Sequence, residues 1–126
     1  MTTTPVKVMV VDDHPLLREG LRSVISAVPG FELVAAAATG SEAITAAAVH
    51  RPDVVVMDLN MPDLDGVQTT TQLLAAHPDM AILILTMYDE DELRRAALRA
   101  GARGYLLKGA THTELVQALR SLGRRN

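Results

Sequence analysis

The sequence predicts one α/β domain built on a single parallel sheet with helices on both faces. Two observations carry that reading. Five short, largely β-branched runs alternate with five segments whose apolar residues recur at helical spacing. Each run is apolar almost throughout, as in strands covered on both faces, rather than alternating as in a sheet with one wet face. With 126 residues, 48% of them hydrophobic, the chain has enough material for one core and too little for two ordinary domains.

The first strand covers residues 6–11 and stops at Asp12 and Asp13. A helix over 15–28 follows, with Leu17, Leu21, Val24, Ile25 and Val28 on one stripe, Pro15 suited to the first turn and Pro29-Gly30 as the stop. Residues 31–36 read as the second strand. An alanine-rich packing helix over 41–50 has Thr39 or Ser41 as its cap. The third strand, 54–58, begins after Arg51-Pro52 and ends on Asp58. A helix over 66–77, a strand over 81–86 and a helix over 90–100 closed by Gly101 come next. The last pair is strand 104–107 and helix 111–122. The domain is expected to occupy residues 1–122, with 123–126 opening a tail or linker. Met9 and Met57, inside strands, read as core filler.

Composition removes several function classes. Twelve basic and fifteen acidic residues give a net charge of -3, so this segment is not expected to contact nucleic acid. One Phe, two Tyr and no Trp leave no stacking platform for single strands. No run is long and apolar enough for a membrane span, and the N-terminus lacks the parts of an export signal. With no cysteine, disulfides and thiolate metal sites are ruled out, and a soluble, cytoplasmic domain is the expectation. There is no P-loop and no dinucleotide fingerprint. An EF-hand reading of DLNMPDLDG fails because Pro62 takes a ligand position and the glycine is displaced.

In a parallel sheet the C-terminal ends of all strands lie along one rim, where open α/β folds bind ligands. Right-handed crossovers of the flavodoxin-like kind, an order taken from resemblance rather than from spacing, would make the first and third strands neighbours and gather Asp12, Asp13 and Asp58 there. Two unit charges about 4 Å apart repel by roughly 4 kcal/mol at an effective dielectric near 20, so the cluster calls for a cation. Oxygen donors suit magnesium, with manganese as a substitute. The histidine or cysteine ligands that zinc prefers are missing from these strand ends. Thr86 ends AILILT with a hydroxyl and Lys108 ends GYLLK with an ammonium. Together these groups form a site for a phosphoryl group, with one carboxylate as nucleophile. Plainer uses compete: Asp12 and Asp13 as helix caps, Asp58 as a turn residue, Thr86 as an ordinary strand residue, Lys108 as a surface charge and Tyr105 as packing.

The motifs VDDHP, MDLNMPDLDG, LTMYDE and GYLLKG, in this order, resemble the receiver domain of two-component response regulators over roughly residues 6–122. The resemblance implies a flavodoxin-like (βα)5 doubly wound sheet in the order 2-1-3-4-5. It implies that Asp58 accepts a phosphoryl group from a sensor histidine kinase, and that Asp13 and Asp58 bind magnesium with help from Asp12 and the backbone carbonyl of Asn60. Lys108 would pair with a phosphoryl oxygen, Thr86 would move to hydrogen-bond another, and Tyr105 would be an aromatic rotamer switch. Output would be read on the fourth helix, fifth strand and fifth helix. Such a domain is a signalling switch that assists its own phosphorylation and dephosphorylation, not a turnover enzyme. VDDHPLLREGL and MYDEDELRRAALRAGARGYLLKGA more narrowly resemble NarL/FixJ-like receivers followed by a LuxR-type DNA-binding domain. The chain ends where such a linker would begin, and homodimerisation through the last helix is left open. Gly109, where many relatives carry an acidic residue, is a departure that leaves the phosphosite motif intact.

Two other readings stand beside this one. DLDGV resembles the haloacid-dehalogenase motif of magnesium-dependent aspartyl phosphatases and phosphotransferases, but Asp63 follows Pro62 instead of ending a strand. A degenerate receiver would bind a partner without phosphorylation, which intact Asp13, Asp58, Thr86 and Lys108 oppose. His14, His50, His77 and His112 lie apart and receive no metal or phosphocarrier role. Arg94, Arg95, Arg99 and Arg103 form either a solvated helix face or a partner surface.

Overall fold

The computed structural model describes residues 4–123. Among them the elements run β1 (Val6–Val11), α1 (Pro15–Ser26), β2 (Phe31–Ala37), α2 (Gly40–His50), β3 (Val54–Met57), α3 (Gly66–Ala76), β4 (Ala81–Thr86), α4 (Asp91–Arg99), β5 (Gly104–Leu107) and α5 (His112–Gly123). All pairings are parallel, and the sheet order is β2-β1-β3-β4-β5. Val11 pairs with Met57 and Met57 with Ile84, so β1 and β3 end level and β4 runs on to Thr86. No helix among the described residues is long and apolar enough to cross a membrane.

Side chains alternate across a strand, and here each face has its own core. Met9, Val11, Val55, Met57, Ile82 and Ile84 pack beneath Ala43 and Ala47 of α2, Leu73 of α3 and Ala97 of α4. Val8, Val10, Val54, Val56, Leu83 and Leu85 pack beneath Ile25 of α1 and Leu115 and Leu119 of α5. Every residue of β3 and β4 is buried, which is why their sequences are continuously apolar.

Helix ends differ from expectation where local chemistry takes over. α1 stops at Ser26 rather than Val28, because Pro29 disfavours a helical conformation in the residue before it. Its last turn tightens, with Val28 N–H donating to the Ile25 carbonyl at 3.2 Å. α3 ends at Ala76 for the same reason, since His77 precedes Pro78 and adopts φ -135°. Thr39, not Ser41, caps α2 by accepting from Glu42 N–H at 3.1 Å. α4 keeps Glu90 and Ala100 as caps outside the helix, and Gly101 takes φ 111°, a conformation that suits glycine. Thr111 and Glu114 exchange hydrogen bonds as a capping box ahead of α5. That helix includes Gly123, which the sequence reading gave to the tail; the rest of that tail, 124–126, lies outside the described residues.

Candidate functional site

Main-chain hydrogen bonds carry the sheet one residue beyond the strands. Asp12 N–H donates to the Ala37 carbonyl at 3.0 Å, Asp58 N–H to Val11 at 2.9 Å and Lys108 N–H to Thr86 at 2.7 Å. Asp58 is therefore not the last residue of its strand, as expected from sequence, but the first past β3, while Lys108 is the first residue past β5, as the expected strand over 104–107 leaves it. Each is still pinned to a ladder and faces the same rim. The backbone of Asp58 is also braced from α3. Gly66 N–H donates to the Leu59 carbonyl at 2.9 Å, and a Cβ at Gly66 would run into the Asp58 carbonyl oxygen, so this approach needs glycine.

The predicted charges converge. Lys108 Nζ lies 3.1 Å from Asp12 Oδ2 and 3.4 Å from Asp58 Oδ1, and all three side chains are at most 5% exposed. Asp12 Oδ1 accepts the His14 N–H at 2.8 Å, so both Asp12 oxygens are engaged. Arg18 Nη1 donates to the Asp12 carbonyl at 2.8 Å and ties α1 to the rim. Asn60 N–H approaches Asp58 Oδ1 at 3.4 Å. Two oxygens remain: Asp13 Oδ1 and Asp58 Oδ2 are buried and accept no hydrogen bond. Burial pushes the Asp58 carboxyl above its usual range; the Lys108 ammonium pulls it down and the Asp12 carboxylate pushes it up, without reversing the sign.

A buried oxygen without a donor costs about 1–3 kcal/mol, and more when it is charged. Two such oxygens in one crevice, with Asp12 already occupied, fit a hard divalent ion bound directly by Asp13 and Asp58. The capping alternative for Asp12 and Asp13 finds no support, since His14 occupies the N-cap of α1 and that helix has no acidic residue in its first turn.

Thr86 is fully buried and its Oγ1 accepts the Tyr88 N–H at 3.2 Å. The Tyr105 hydroxyl donates to the Tyr88 carbonyl at 2.7 Å, and the Arg94 guanidinium covers the Tyr105 ring at 4.9 Å. Thr86 and Tyr105 thus hold the same residue of the β4–α4 loop, one at its N–H and the other at its carbonyl. Arg94 also pairs with Asp89 at 3.0 Å, which makes that arginine part of the loop's own scaffold.

Sequence reasoning missed His14. Its Nδ1 lies 3.1 Å from Asp12 Oδ1, 3.2 Å from Asp13 Oδ1 and 4.0 Å from Asp58 Oδ2. The strand ends themselves carry no histidine, as expected, but His14, which the sequence reading set apart with the other histidines, lies just past β1 and reaches the same rim. Asp63 is not part of the site. Its oxygens accept the backbone N–H groups of Gly40 and Ser41 and the Ser41 hydroxyl, while Asp65 forms a capping box with Gln68 on α3. A nucleophile in the DLDGV motif would have to leave those bonds first.

The response regulator receiver domain family matches residues 8–120. The chain is 41% identical over 115 residues to response regulator GacA of Pseudomonas syringae, covering 91% of this chain and 54% of that protein. A LuxR-family two-component response regulator from an Aurantimonas species has a TM-score of 0.90 at 38% identity, covering 95% of this chain and 86% of the other. The signal receiver domain of a NarL response regulator from Mycobacterium tuberculosis has a TM-score of 0.91 at 34% identity, covering 98% and 100%. The chain spans about half the length of the curated relatives it matches. It belongs to the receiver domain family of two-component response regulators, on the NarL/FixJ-like side of that family.

Proposed function

We propose that this domain is a phosphoacceptor switch in which Asp58 takes a phosphoryl group from the phosphohistidine of a sensor kinase. The observation that carries the reading is the unpartnered pair Asp13 Oδ1 and Asp58 Oδ2, in a crevice whose buried ammonium, Lys108, touches Asp58. In the transfer, an Asp58 oxygen bonds to phosphorus as the phosphorus–nitrogen bond breaks; the departing imidazole keeps the electron pair and takes up a proton. Magnesium, or manganese in its place, held by Asp13, Asp58 and the Asn60 carbonyl with Asp12 acting through water, would supply positive charge to the phosphoryl oxygens. Lys108 neutralises the remaining oxygen charge, and burial of the crevice strengthens that attraction by limiting solvent screening. The domain thereby assists both the gain and the hydrolytic loss of its own phosphoryl group.

Readout follows from the shared loop contact. A Thr86 hydroxyl drawn toward a phosphoryl oxygen gives up the Tyr88 N–H, and a Tyr88 peptide that moves gives up the Tyr105 hydroxyl. The change then reaches the surface of α4, β5 and α5. That surface would control a LuxR-type DNA-binding domain in a longer cytoplasmic regulator, with homodimerisation through α5 as one route. Incubation with a small phosphodonor and magnesium, followed by mass mapping, tests the assignment. Modification on the peptide carrying Asp58, lost in Asp58→Asn, supports it; an adduct that persists in Asp58→Asn contradicts it.

A further inference from the structure

We propose that Asp63 is a positioning residue for the phosphoacceptor: by holding the β3–α3 loop to the N-terminus of α2, it sets where the backbone of Asn60 stands beside Asp58. The inference rests on the phosphoacceptor reading of Asp58 and deepens it, by naming a residue outside the crevice that governs the rate within it.

The first N–H groups of a helix have no partner inside the helix. Gly40 and Ser41 open α2, and their N–H groups donate to Asp63 Oδ1 and Oδ2, each at 3.1 Å. The Ser41 hydroxyl adds a third bond, to Oδ2 at 2.5 Å. Thr39, the cap of the same helix, takes the Glu42 N–H instead, so the two residues serve different donors. The Asp63 carboxylate also lies at the positive end of the helix. Packing reinforces these bonds. A Cβ at Gly40 would run into Leu64 Cβ and Thr69 Oγ1, so glycine is what lets α2 sit this close to the loop and to α3.

The near end of the loop is fixed as well, since Leu59 is buried and its carbonyl accepts the Gly66 N–H. Only Asn60, Met61 and Pro62 lie between the two fixed points. Pro62 has a locked φ and keeps the backbone of Met61 extended, so a displacement at Asp63 is passed along the segment rather than absorbed in it. Met61 rests on the core, but a methionine side chain adapts to its surroundings, and the polar bonds of Asp63 set the backbone. Asn60 N–H stands 3.4 Å from Asp58 Oδ1, at the outer limit of a hydrogen bond. Donors at a reacting group act through being held in place. Misplacement by about 1 Å costs about a hundredfold in rate.

Three variants separate this role from plain support of α2. Asp63→Ala removes all three bonds to α2, Asp63→Asn keeps an acceptor oxygen without the charge, and Thr39→Ala removes the cap of the helix while leaving Asp63 in place. Folded protein is given a small phosphodonor and magnesium at one high donor concentration. Phosphorylation of Asp58 should slow at least roughly tenfold in Asp63→Ala, by a smaller factor in Asp63→Asn, and not at all in Thr39→Ala. Without donor or metal, the backbone amide resonance of Asn60 should shift in Asp63→Ala and stay in place in Thr39→Ala. A wild-type rate in Asp63→Ala would overturn the proposal. Equal slowing in Thr39→Ala would also overturn it, by reducing Asp63 to a support for the helix. An Asn60 resonance that follows Asp63 in a chain whose Asp58 takes no phosphoryl group would refute the phosphoacceptor reading and leave the placement of Asn60 by Asp63 standing. An unmoved Asn60 resonance in Asp63→Ala would remove that placement whatever the phosphorylation result.

Discussion

Asp58 and Asp63 occupy the same β3–α3 loop, yet their carboxyl groups are displaced in opposite directions. Asp63 is exposed and held by donors: the Ser41 hydroxyl first, then backbone N–H groups, which lower it from the ordinary value of 3.8 to about 2. Asp58 is buried with one oxygen unpartnered, and that burial raises it despite the Lys108 ammonium. Surrounded by donors, an aspartate is a fixture that joins α2 to the loop. Deprived of them, it is a group that seeks a cation or an electrophile. The difference lies in burial, which dominates at Asp58, and in the N–H and O–H donors that dominate at Asp63, not in the residue type.

The largest effect should come from breaking the brace that holds Asp58 in place. Gly66→Ala puts a methyl group against the Asp58 carbonyl oxygen and 2.8 Å from Leu59 Cα, both backbone atoms that cannot turn aside. A loss of about 3 kcal/mol in denaturant unfolding is expected, at the upper end for overpacking. Wild-type stability in that variant would show that the loop can shift, and that the geometry of Asp58 is not set from α3.

A smaller effect sharpens the comparison through its sign. Asp58 has a raised folded value, so its favourable contribution is present below pH 3.8 and is lost as pH rises through the raised value. Asp58→Asn should therefore gain stability relative to wild type as pH increases, by on the order of several degrees in melting temperature at neutral pH without metal. Asp63 has a depressed value, so its contribution is present above 3.8 and is lost as pH falls toward about 2. Asp63→Asn should be less stable than wild type at neutral pH, with the gap closing in acid. Melting curves across pH check both signs, and parallel profiles for the two variants would refute the contrast.

Much of this was legible from the chain itself. Strand ends in a parallel sheet share a rim, so the sequence places Asp12, Asp58, Thr86 and Lys108 along it, and the ladder bonds at Asp12, Asp58 and Lys108 hold those three there. His14 received no role because the four histidines lie apart in the chain, although it follows Asp13 directly and its ring turns back over the same carboxylates. The overlong helices at Val28 and His77 came from following apolar spacing past the point where a proline acts on its predecessor. The THTE pattern at Thr111 was a capping-box signature available in the sequence. Which carboxylate oxygens lack a donor was not readable. That depends on side-chain rotamers and on the direction of N–H groups from several segments, here Asn60, His14 and Lys108.

The central claim is that Asp13 and Asp58 leave two buried oxygens for one divalent ion. Thermal melting of the wild-type chain and of Asp13→Asn across a magnesium titration tests it most directly. The account predicts a midpoint that climbs with magnesium in the wild type, approaching about 2.7 kcal/mol of stabilisation at a hundredfold excess over the dissociation constant, and little or no climb in Asp13→Asn. A wild-type midpoint that stays flat at millimolar magnesium, or an equal climb in both proteins, would contradict it.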